Sequence, residues 1–494
     1  MQHCRQQTVT GGRPAFYLRV LWLTLLGYMI AGKGFAYLGF GQMYVGEVVL
    51  GTGLLVLALT PSAITALTRV RKDTVTIPLI VLFCIWGACR TAPYLDEYGM
   101  DAPRDAVLWG YSAFALIVYA LMSVRPALLP KAVEYYGALA RRLPYILLPI
   151  IILVTLGVQG PEVAPDVRVI SFKGGDLGVH LSGAALAYVV ELYRFDAVLW
   201  PFLTLVCVFM LACGNRASAL AFFSGVLVSA FVRRGRAFRR VLRLAIPAAV
   251  VAVLALTALP EIQLYQGRTL SPEQFVTNLR SVFVTIDNDD RSTEATKNWR
   301  LAWWSTIIDY TIHGEYFWTG KGFGRNLAIE DGFATPGVDR RRSPHNSHLA
   351  VLARAGVPGF MLWAGIQLSW GWAILQAYRR TRRIGLHRWA SLFIFLLGYW
   401  VAFDVNACFD VFLEGPMGGI WYWTVVGVGL AAVRLSRTHP GLLECGALPA
   451  TAGPTVAPYR EYLYPNSVIR PYSRRPAQTV LRRNAEAFGQ KGNS

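Results

Sequence analysis

Long apolar segments follow one another along most of the chain and are separated by short polar stretches. Apolar runs of about 16–25 residues are typical of membrane-spanning helices, because only backbone that pairs its own N–H and C=O groups is stable in hydrocarbon. The pattern predicts twelve such helices. Their approximate ranges are 16–38, 44–66, 75–90, 106–124, 144–159, 177–192, 196–213, 217–232, 244–260, 349–378, 389–407 and 417–433.

The charges of the loops orient the predicted helices. If the N-terminus lies in the cytoplasm, the cytoplasmic loops contain the basic clusters at 69–72, 125–142, 233–240 and 379–383. The short loops on the other side contain at least as many acids as bases. Because the cytoplasmic loops of membrane proteins carry the excess of Lys and Arg, this orientation is favoured. One helix more or fewer before residue 260 would place the later clusters outside.

The predicted helices divide the chain into five regions. These are a cytoplasmic N-terminus (1–15), nine membrane helices (16–260), a large outer loop with short helices (261–348), which the resemblance described below places in the periplasm, three more membrane helices (349–433) and a Pro-rich basic cytoplasmic tail (434–494). The tail has no hydrophobic periodicity, so we expect it to be disordered and to lie near anionic lipid.

Two helices are predicted within the large loop. The sequence SPEQ at 271–274 is typical of a capped helix start. Residues 298–312 predict a second helix, which carries Trp299, Trp303 and Trp304. Three Trp side chains on a short external helix indicate a position at the bilayer surface.

Composition supports an all-α polytopic integral membrane protein. Apolar residues make up 54% of the chain and charged residues only 16%, whereas soluble domains carry about a quarter charged residues. The net charge of +19 is therefore assigned to cytoplasmic loops and not to a nucleic-acid partner. The seven cysteines form no C-x-x-C pair, and DNDD at 287–290 lacks the Gly of an EF-hand loop. We expect no metal site and no disulfide framework.

Two histidines precede a predicted helix on the outer side of the membrane. His345 and His348 lie in RRRSPHNSHLAVLARAGVPG at 340–359, and either imidazole could act as a general base, because it titrates near neutrality. Asn346 and Ser347 favour a helix start at this point. The alternative is that the histidines only stabilise the end of the helix.

Three outer arginines are candidates for binding phosphate oxygens, which a guanidinium group contacts in bidentate fashion. Arg216 lies in the short turn CGNRAS, Arg300 in the Trp-rich helix, and Arg342 in the basic run that precedes His345. Snorkelling or ion pairing is the alternative. The position of Arg216 between two helices favours function, whereas for the run at 340–342 a solvated loop is favoured.

Four further polar groups lie near the outer ends of predicted helices. Lys33 could face the site or snorkel. Asp176 and His180 in GGDLGVHLSG could be functional or could bond to a neighbouring helix. Glu414 in FLEGPMG is an alternative base. The Gly-rich sequence GKGFG at 320–324 lacks the strand and helix that flank a nucleotide-binding loop, so it predicts a turn.

Taken together, residues 16–433 resemble the O-antigen ligase/polymerase superfamily of bacterial envelope glycosyltransferases. The resemblance rests on about twelve membrane helices, one long outer loop late in the chain, and several sequence segments. These segments are GKGFAYLGFGQMYVGEVVLGTG, GNRASAL, NWRLAWWSTIIDY followed by GKGFG, HNSHLAVLARAGVPG, and FLEGPMGGIWYW.

The resemblance implies a GT-C-like ligase architecture in the bacterial inner membrane, with the active site facing the periplasm. It implies a glycan donor linked to undecaprenyl diphosphate and a lipid or glycan acceptor, among membrane lipids, with no cofactor and no metal. By resemblance, His345 corresponds to the essential histidine of the family, and Arg216 and Arg300 to its arginines. His348 departs from the family pattern, so both histidines remain candidates for the base.

A sugar diphosphate already carries a good leaving group, so glycan transfer needs a base for the acceptor hydroxyl and positive charge for the departing diphosphate. His345 would supply the base, and Arg216 with Arg300 the charge. Direct displacement would invert the anomeric centre. Three alternatives remain: a polymerase that joins two lipid-linked repeats, a transporter of lipid-linked glycan, and a scaffold that binds partners through its Trp-rich helix.

Overall fold

The structure is a computed structural model that describes residues 12–40, 43–68, 75–158, 160–165, 167–171, 173–196, 198–233, 262–263, 269–270, 291–337 and 341–444. Four predicted features lie outside these residues. They are the membrane helix at 244–260, the helix start at 271–274, the acidic run at 287–290 and the tail beyond residue 444.

The described part of the chain is mostly helical, so the predicted all-α class is confirmed. Its α-helices are α1 (Arg13–Ala31), α2 (Lys33–Ala36), α3 (Val45–Ala58), α4 (Pro61–Thr68), α5 (Thr76–Thr91), α6 (Leu95–Tyr98), α7 (Asp101–Gly110), α8 (Ala113–Val124), α9 (Leu128–Thr155), α10 (Gly174–Val189), α11 (Leu199–Gly214), α12 (Arg216–Arg233), α13 (Arg291–Ile308), α14 (Leu327–Glu330), α15 (Ser347–Arg383), α16 (His387–Ala407) and α17 (Pro416–Thr438). A π-helical turn at Asp309–His313 follows α13, and 3-10 turns lie at Ala92–Tyr94, Phe412–Glu414 and Pro440–Leu442.

Three small antiparallel hairpins interrupt the helices. They pair β1 (Gly39–Phe40) with β2 (Met43–Tyr44), β3 (Glu162–Ala164) with β4 (Val167–Arg168), and β5 (Ile262–Gln263) with β6 (Thr269–Leu270). Gly39 lies opposite Tyr44 in the first hairpin, Glu162 opposite Arg168 in the second, and Ile262 opposite Leu270 in the third. Strands this short connect helices and form no layer of their own.

Seven helices within the described ranges are long and apolar enough to cross a membrane, and nine are if each of two bent pairs forms one span. The chain is therefore a polytopic membrane protein. Helices α10 and α11 occupy two further predicted spans, but each has only 16 residues. The count of twelve spans stays a prediction, because the helix predicted at 244–260 lies outside the described residues.

Two predicted spans are not continuous helices. The segment at 44–66 is divided between α3 and α4, which meet at an angle of 90°. The break comes directly before Pro61, which has no N–H group and disfavours helical geometry in the preceding residue. The segment at 106–124 is divided between α7 and α8, which meet at 42°. This break follows Gly110, a residue that weakens the helix interior.

Two other span boundaries also differ from the prediction. Helix α1 ends at Ala31, seven residues before the predicted end at 38, because Gly32 adopts a left-handed φ of 62°. Helix α9 begins at Leu128, although the sequence pattern predicts a cytoplasmic loop at 128–143. Good helix formers such as Ala132, Leu139 and Ala140 extend the helix into this polar segment.

Small residues let the central helices approach one another closely. Helices α10, α12 and α16 pack together, and a Cβ atom on Gly225 of α12 would lie only 2.6 Å from the carbonyl oxygen of Gly398 on α16. A Cβ on Gly178 of α10 would lie 2.7 Å from Cα of Ser218 on α12. Close backbone contact of this kind stabilises helix pairs in membranes. Because lipid tails are as apolar as the helix surfaces, the hydrophobic effect does not drive helices together there, and close packing does.

Helix α15 is broken after its second turn. Gly356 has non-helical torsion angles, with φ 67° and ψ −175°. The carbonyl groups that the break leaves without helical partners accept hydrogen bonds from outside the helix: Ala353 from the N–H of Lys321 (2.7 Å) and Arg354 from the N–H of Gly322 (3.0 Å). The Gly-rich segment 320–324 is thus a structural loop, and residues 347–355 form a short half-helix of their own.

Gly356→Ala is expected to lower the free energy of unfolding by about 1–3 kcal/mol, because alanine rarely adopts this backbone conformation. A Cβ atom there would also lie 2.7 Å from the carbonyl oxygen of Phe317 and 2.8 Å from the nitrogen of Gly320. Thermal unfolding in detergent measures the effect. Gly365→Ala in the same helix is the control, since its Cβ would meet only the side chain of Leu79, at 3.4 Å. Equal melting temperatures for the two variants would contradict this explanation of the break.

Candidate functional site

His345 lies in the loop directly before α15 and has a left-handed backbone conformation, with φ 53°. Residues other than glycine rarely adopt this conformation, and it costs about 1–3 kcal/mol when the surroundings impose it. Hydrogen bonds on both sides hold the loop. The carbonyl group of Pro344 accepts from Nε1 of Trp304 (2.8 Å), and the side chain of Asn346 caps α15 by accepting from the N–H groups of His348 and Leu349. The predicted helix start is confirmed.

Asp410 is the acidic partner of His345. Nδ1 of His345 lies 3.6 Å from Oδ1 of Asp410. The same oxygen accepts a hydrogen bond from Nζ of Lys173 and one of 2.8 Å from the N–H of Val411. Burial by itself would raise the pKa of the Asp410 carboxyl, but His345, Lys173 and the Val411 N–H together hold this pKa below its usual range. A lasting negative charge therefore faces Nδ1, and Nε2 is the ring nitrogen farther from Asp410.

Arg300 reaches the same short segment from α13. Its Nη1 donates a hydrogen bond of 3.1 Å to the carbonyl oxygen of Phe409, the residue before Asp410. Desolvation of this half-buried side chain lowers the pKa of the Arg300 guanidinium, and the charge of Asp410 opposes that effect. One cationic group and one imidazole are thus anchored on two consecutive residues of the turn between α16 and α17.

The Trp-rich helix α13 forms a wall of this site. The ring of Trp299 contacts the imidazole of His345 edge to face, with the ring centroids 6.2 Å apart. The guanidinium of Arg341 lies over the same Trp299 ring at 4.6 Å. Trp304 binds the carbonyl group before His345. The helix therefore positions the histidine loop from one side.

The predicted position of this helix at the bilayer surface rests on three Trp side chains, and one of them, Trp303, is buried within the protein. Its ring is completely buried within the protein, stacks on Phe333 at 5.3 Å, and donates a hydrogen bond of 2.6 Å from Nε1 to Asp331. The large apolar surface of indole is removed from solvent here by protein and not by lipid.

Two lysines and a second carboxyl group also lie near Asp410. Lys173 precedes α10 and pairs with Asp410. Asp176 lies in the first turn of α10, and its N–H bonds to the carbonyl oxygen of Lys173 (3.1 Å). Lys33 is tied to the same region, because its N–H donates to the carbonyl oxygen of Ser171 (2.6 Å). It interacts electrostatically with Lys173, Asp176 and Asp410.

Arg216 begins α12 at the edge of this cluster. The preceding residue, Asn215, accepts a hydrogen bond of 2.9 Å from the N–H of Ala217 and so fixes the start of the helix. Asn215 lies beside Gly174, where an added Cβ would be 3.2 Å from the Cβ of Asn215. The start of α12 is therefore adjacent to the segment that carries Lys173.

Arg342 belongs to a separate ion-pair cluster. Its guanidinium binds Asp101 at 3.0 Å and Asp105 at 3.1 Å, and Arg354 binds the same Asp105 oxygen at 2.9 Å. The solvated loop that we expected for residues 340–342 is wrong at Arg342, whose side chain is only 15% exposed. Its charge is compensated by carboxylates, which favours a structural role over phosphate binding.

His348 and His180 are both held in structural contacts. Nε2 of His348 bonds to the carbonyl oxygen of Asp404 (3.1 Å), and its Nδ1 accepts from Nε1 of Trp363 (3.1 Å). With both ring nitrogens engaged, His348 is less suited than His345 to act as a base. Nδ1 of the buried His180 bonds to the hydroxyl of Tyr399 (2.8 Å), which agrees with the interhelical alternative.

Sequence reasoning did not single out Asp410 and Lys173. Asp410 lies in the outer turn DVFLEGP, and Lys173 precedes the GGD that starts α10. Both share with the chosen candidates a position at the outer end of a predicted span. Their position at the outer end of a span could have identified them as candidates. Their pairing could not have been predicted, because they are 237 residues apart and no local sequence pattern links them.

A comparison with curated proteins gives no match. Residues 201–364 match a family model described as O-antigen ligase. The matched range contains Arg216, Arg300 and His345, whereas Lys173 and Asp410 lie outside it. Together with the multi-pass helical fold, this match confirms the resemblance of the chain to the O-antigen ligase superfamily.

Proposed function

We propose that this protein transfers a glycan from an undecaprenyl-diphosphate carrier to a hydroxyl group of a lipid or glycan acceptor, on the periplasmic side of the bacterial inner membrane. The family match supports this class of reaction. The observation that carries the assignment of residues is the shared anchor at 409–410. His345 lies 3.6 Å from Asp410, and Arg300 binds the carbonyl group of Phe409.

His345 acts as the general base in this proposal. The carboxylate of Asp410 faces Nδ1, so a proton on Nδ1 is stabilised and Nε2 is left to accept the proton of the acceptor hydroxyl. An orienting carboxylate on the far side of a catalytic imidazole has this function in serine hydrolases. The fixed backbone conformation of His345 and the contact with Trp299 limit the motion of the ring.

Positive charge for the leaving group comes from the side chains around the same anchor. Arg300 and Arg216 bind the diphosphate, and Lys173 and Lys33 add to the local positive potential. As the acceptor oxygen attacks the anomeric carbon, the bond from that carbon to the diphosphate oxygen breaks, and the carrier diphosphate leaves with both electrons. The hydroxyl proton moves to His345. Displacement in one step inverts the anomeric centre.

Glu414 is the alternative base, and its surroundings favour a different role. It accepts a hydrogen bond of 2.6 Å from Ser343, two residues before His345. Desolvation raises the pKa of Glu414 to about 7, against the opposing effects of the Ser343 bond and the charge of Arg354. The bond to Ser343 engages this carboxyl group with the histidine loop, so Glu414 supports the loop as a hydrogen-bonding partner of the segment that carries His345.

His345→Asn is expected to lower the rate of glycan transfer by about 10²–10⁴-fold, because it removes the base, while asparagine still tolerates the left-handed backbone. Purified protein is incubated with an undecaprenyl-diphosphate glycan and candidate acceptors, and the products are identified by mass. A second lipid-linked glycan among the acceptors distinguishes the polymerase alternative. His313→Ala, at an exposed histidine of the same loop, is the control. Undiminished transfer by His345→Asn would reject the base.

Arg300→Gln is expected to lower the transfer rate by about 10²–10³-fold, the typical effect of losing one group that stabilises developing negative charge. Arg104→Gln is the matched control, since the Arg104 side chain is 64% exposed and makes only an ion pair with Asp101 among the contacts described for it. Single-turnover rates with saturating donor separate chemistry from binding. If the two variants lose activity equally, the diphosphate role of Arg300 is wrong.

Glu414→Gln is expected to change the pH dependence of stability. Because the folded-state pKa of about 7 lies above the unfolded value, the folded protein keeps a proton that the unfolded chain has released. Stability of the wild type therefore falls as pH rises from about 4.5 to 7 and stays lower above 7. The variant, which has no titrating group there, should melt above the wild type at pH 8 and level with it at pH 4.5.

Melting temperatures in detergent across this pH range measure the effect. Glu97→Gln, at an exposed position, should leave the wild-type pH dependence unchanged. A Glu414→Gln variant that melts below the wild type at pH 8 would contradict a raised pKa for this carboxyl group.

A further inference from the structure

An apolar cavity lies between the membrane helices. It is bounded mainly by α1, α9, α16 and α17 and measures about 990 Å³, including the part that is open to the surroundings. Its walls are almost entirely apolar, and the rings of Trp22 and Tyr135 stack against each other at 6.4 Å on one side.

The depth of this cavity follows from the helices that line it. Nε1 of Trp421 on α17 donates to the carbonyl oxygen of Leu25 on α1 (3.0 Å), so these two residues lie at the same level. The cavity extends from this level along α1 past Arg19 to Ala15. Arg19 is twelve residues before the outer end of α1 at Ala31, a separation of about 18 Å along the helix axis.

Two cations lie in the part of the cavity that is farther from the outer ends of the helices. Arg19 of α1 and Lys131 of α9 both line it, and the described lining residues include no Asp or Glu. The hydroxyl of Thr424 on α17 also lines the cavity and is buried without a hydrogen-bond partner among the described residues. Thr424 is three residues from Trp421, and Arg19 is six residues from Leu25, which lies at the level of Trp421. Both are displaced away from the outer side, so Thr424 lies about 4–5 Å nearer the outer side than Arg19. A buried hydroxyl without a partner is costly, which indicates a ligand that supplies one.

We propose that this cavity binds an anionic phospholipid. One acyl chain lies between the apolar walls, the phosphate contacts Arg19 and Lys131, and the Thr424 hydroxyl donates to an ester carbonyl. In a glycerophospholipid the ester groups lie between the phosphate and the acyl chains. The cavity has the matching order, with the two cations at the level of the phosphate and Thr424 at the level of the esters. Basic pockets between membrane helices have this chemistry.

Charge distinguishes this occupant from the tail of a polyprenyl carrier. A polyprenyl tail that enters from the His345 side would reach Arg19 and Lys131 with uncharged hydrocarbon, and it contains no carbonyl group for Thr424. A phospholipid headgroup satisfies all three side chains. The inference does not depend on the proposed glycan transfer, because the cavity lies apart from the cluster at His345.

The test measures lipid binding by the full chain, without an activity assay. Delipidated protein in detergent is titrated with phosphatidylglycerol or phosphatidylcholine, and bound lipid is counted by native mass spectrometry. The combined variant Arg19→Gln with Lys131→Gln is compared with Arg13→Gln with Arg142→Gln. The control removes two exposed charges from the same two helices outside the cavity. We expect the first variant to bind phosphatidylglycerol about tenfold or more weakly than the wild type, and the control to bind it like the wild type.

A second measurement uses the wild-type protein and so does not depend on the folding of a variant. Phosphatidylglycerol with a photoreactive acyl chain should crosslink to the cavity segments 18–25, 128–136, 392–399 and 421–428. The proposal is overturned if crosslinks fall elsewhere, or if both combined variants weaken binding equally. It is also overturned if phosphatidylcholine binds with the same dependence on the two cations, or if undecaprenyl phosphate displaces the phospholipid from these segments and requires the same side chains.

Discussion

The carboxylate of Asp410 is the contact on which the site depends. Lys173 from the start of α10 and the histidine loop before α15 both meet this side chain, and Arg300 from α13 binds the residue next to it. Segments far apart in sequence therefore converge on one turn between α16 and α17. A buried anion is stable only when cations and N–H groups compensate it, so each of these contacts supports the others.

A second cluster of charges also holds the loop that carries His345. Asp105 of α7 accepts from both Arg342 and Arg354, and Ser343 binds Glu414. The loop that carries His345 is thus fixed before and after the histidine. These bonds offset the cost of its left-handed backbone, and a loop held in this way keeps a base in one orientation while substrates exchange.

Hydropathy was sufficient to predict the helical class and the approximate positions of the membrane helices in the described ranges, because burial in lipid requires long apolar segments. It did not predict the bend before Pro61, because the hydropathy of an apolar segment is the same whether its helix is continuous or broken. His345 and Arg300 could be selected from residue type and position. Their partner Asp410 could not, because an ion pair depends on tertiary contacts. For the same reason Arg342 was misread as a solvated residue.

The break at Gly356 has a mechanical consequence. The half-helix 347–355 is bonded through its carbonyl groups to the loop at 320–322 and, at Ala355, to Nε1 of Trp86 on α5 (2.8 Å), whereas the longer half of α15 continues to Arg383. Membrane helices change their tilt when bilayer thickness changes. Because the chain kinks at Gly356, a change in the tilt of the long half is not passed along one continuous rigid helix to the half-helix that begins beside the histidine.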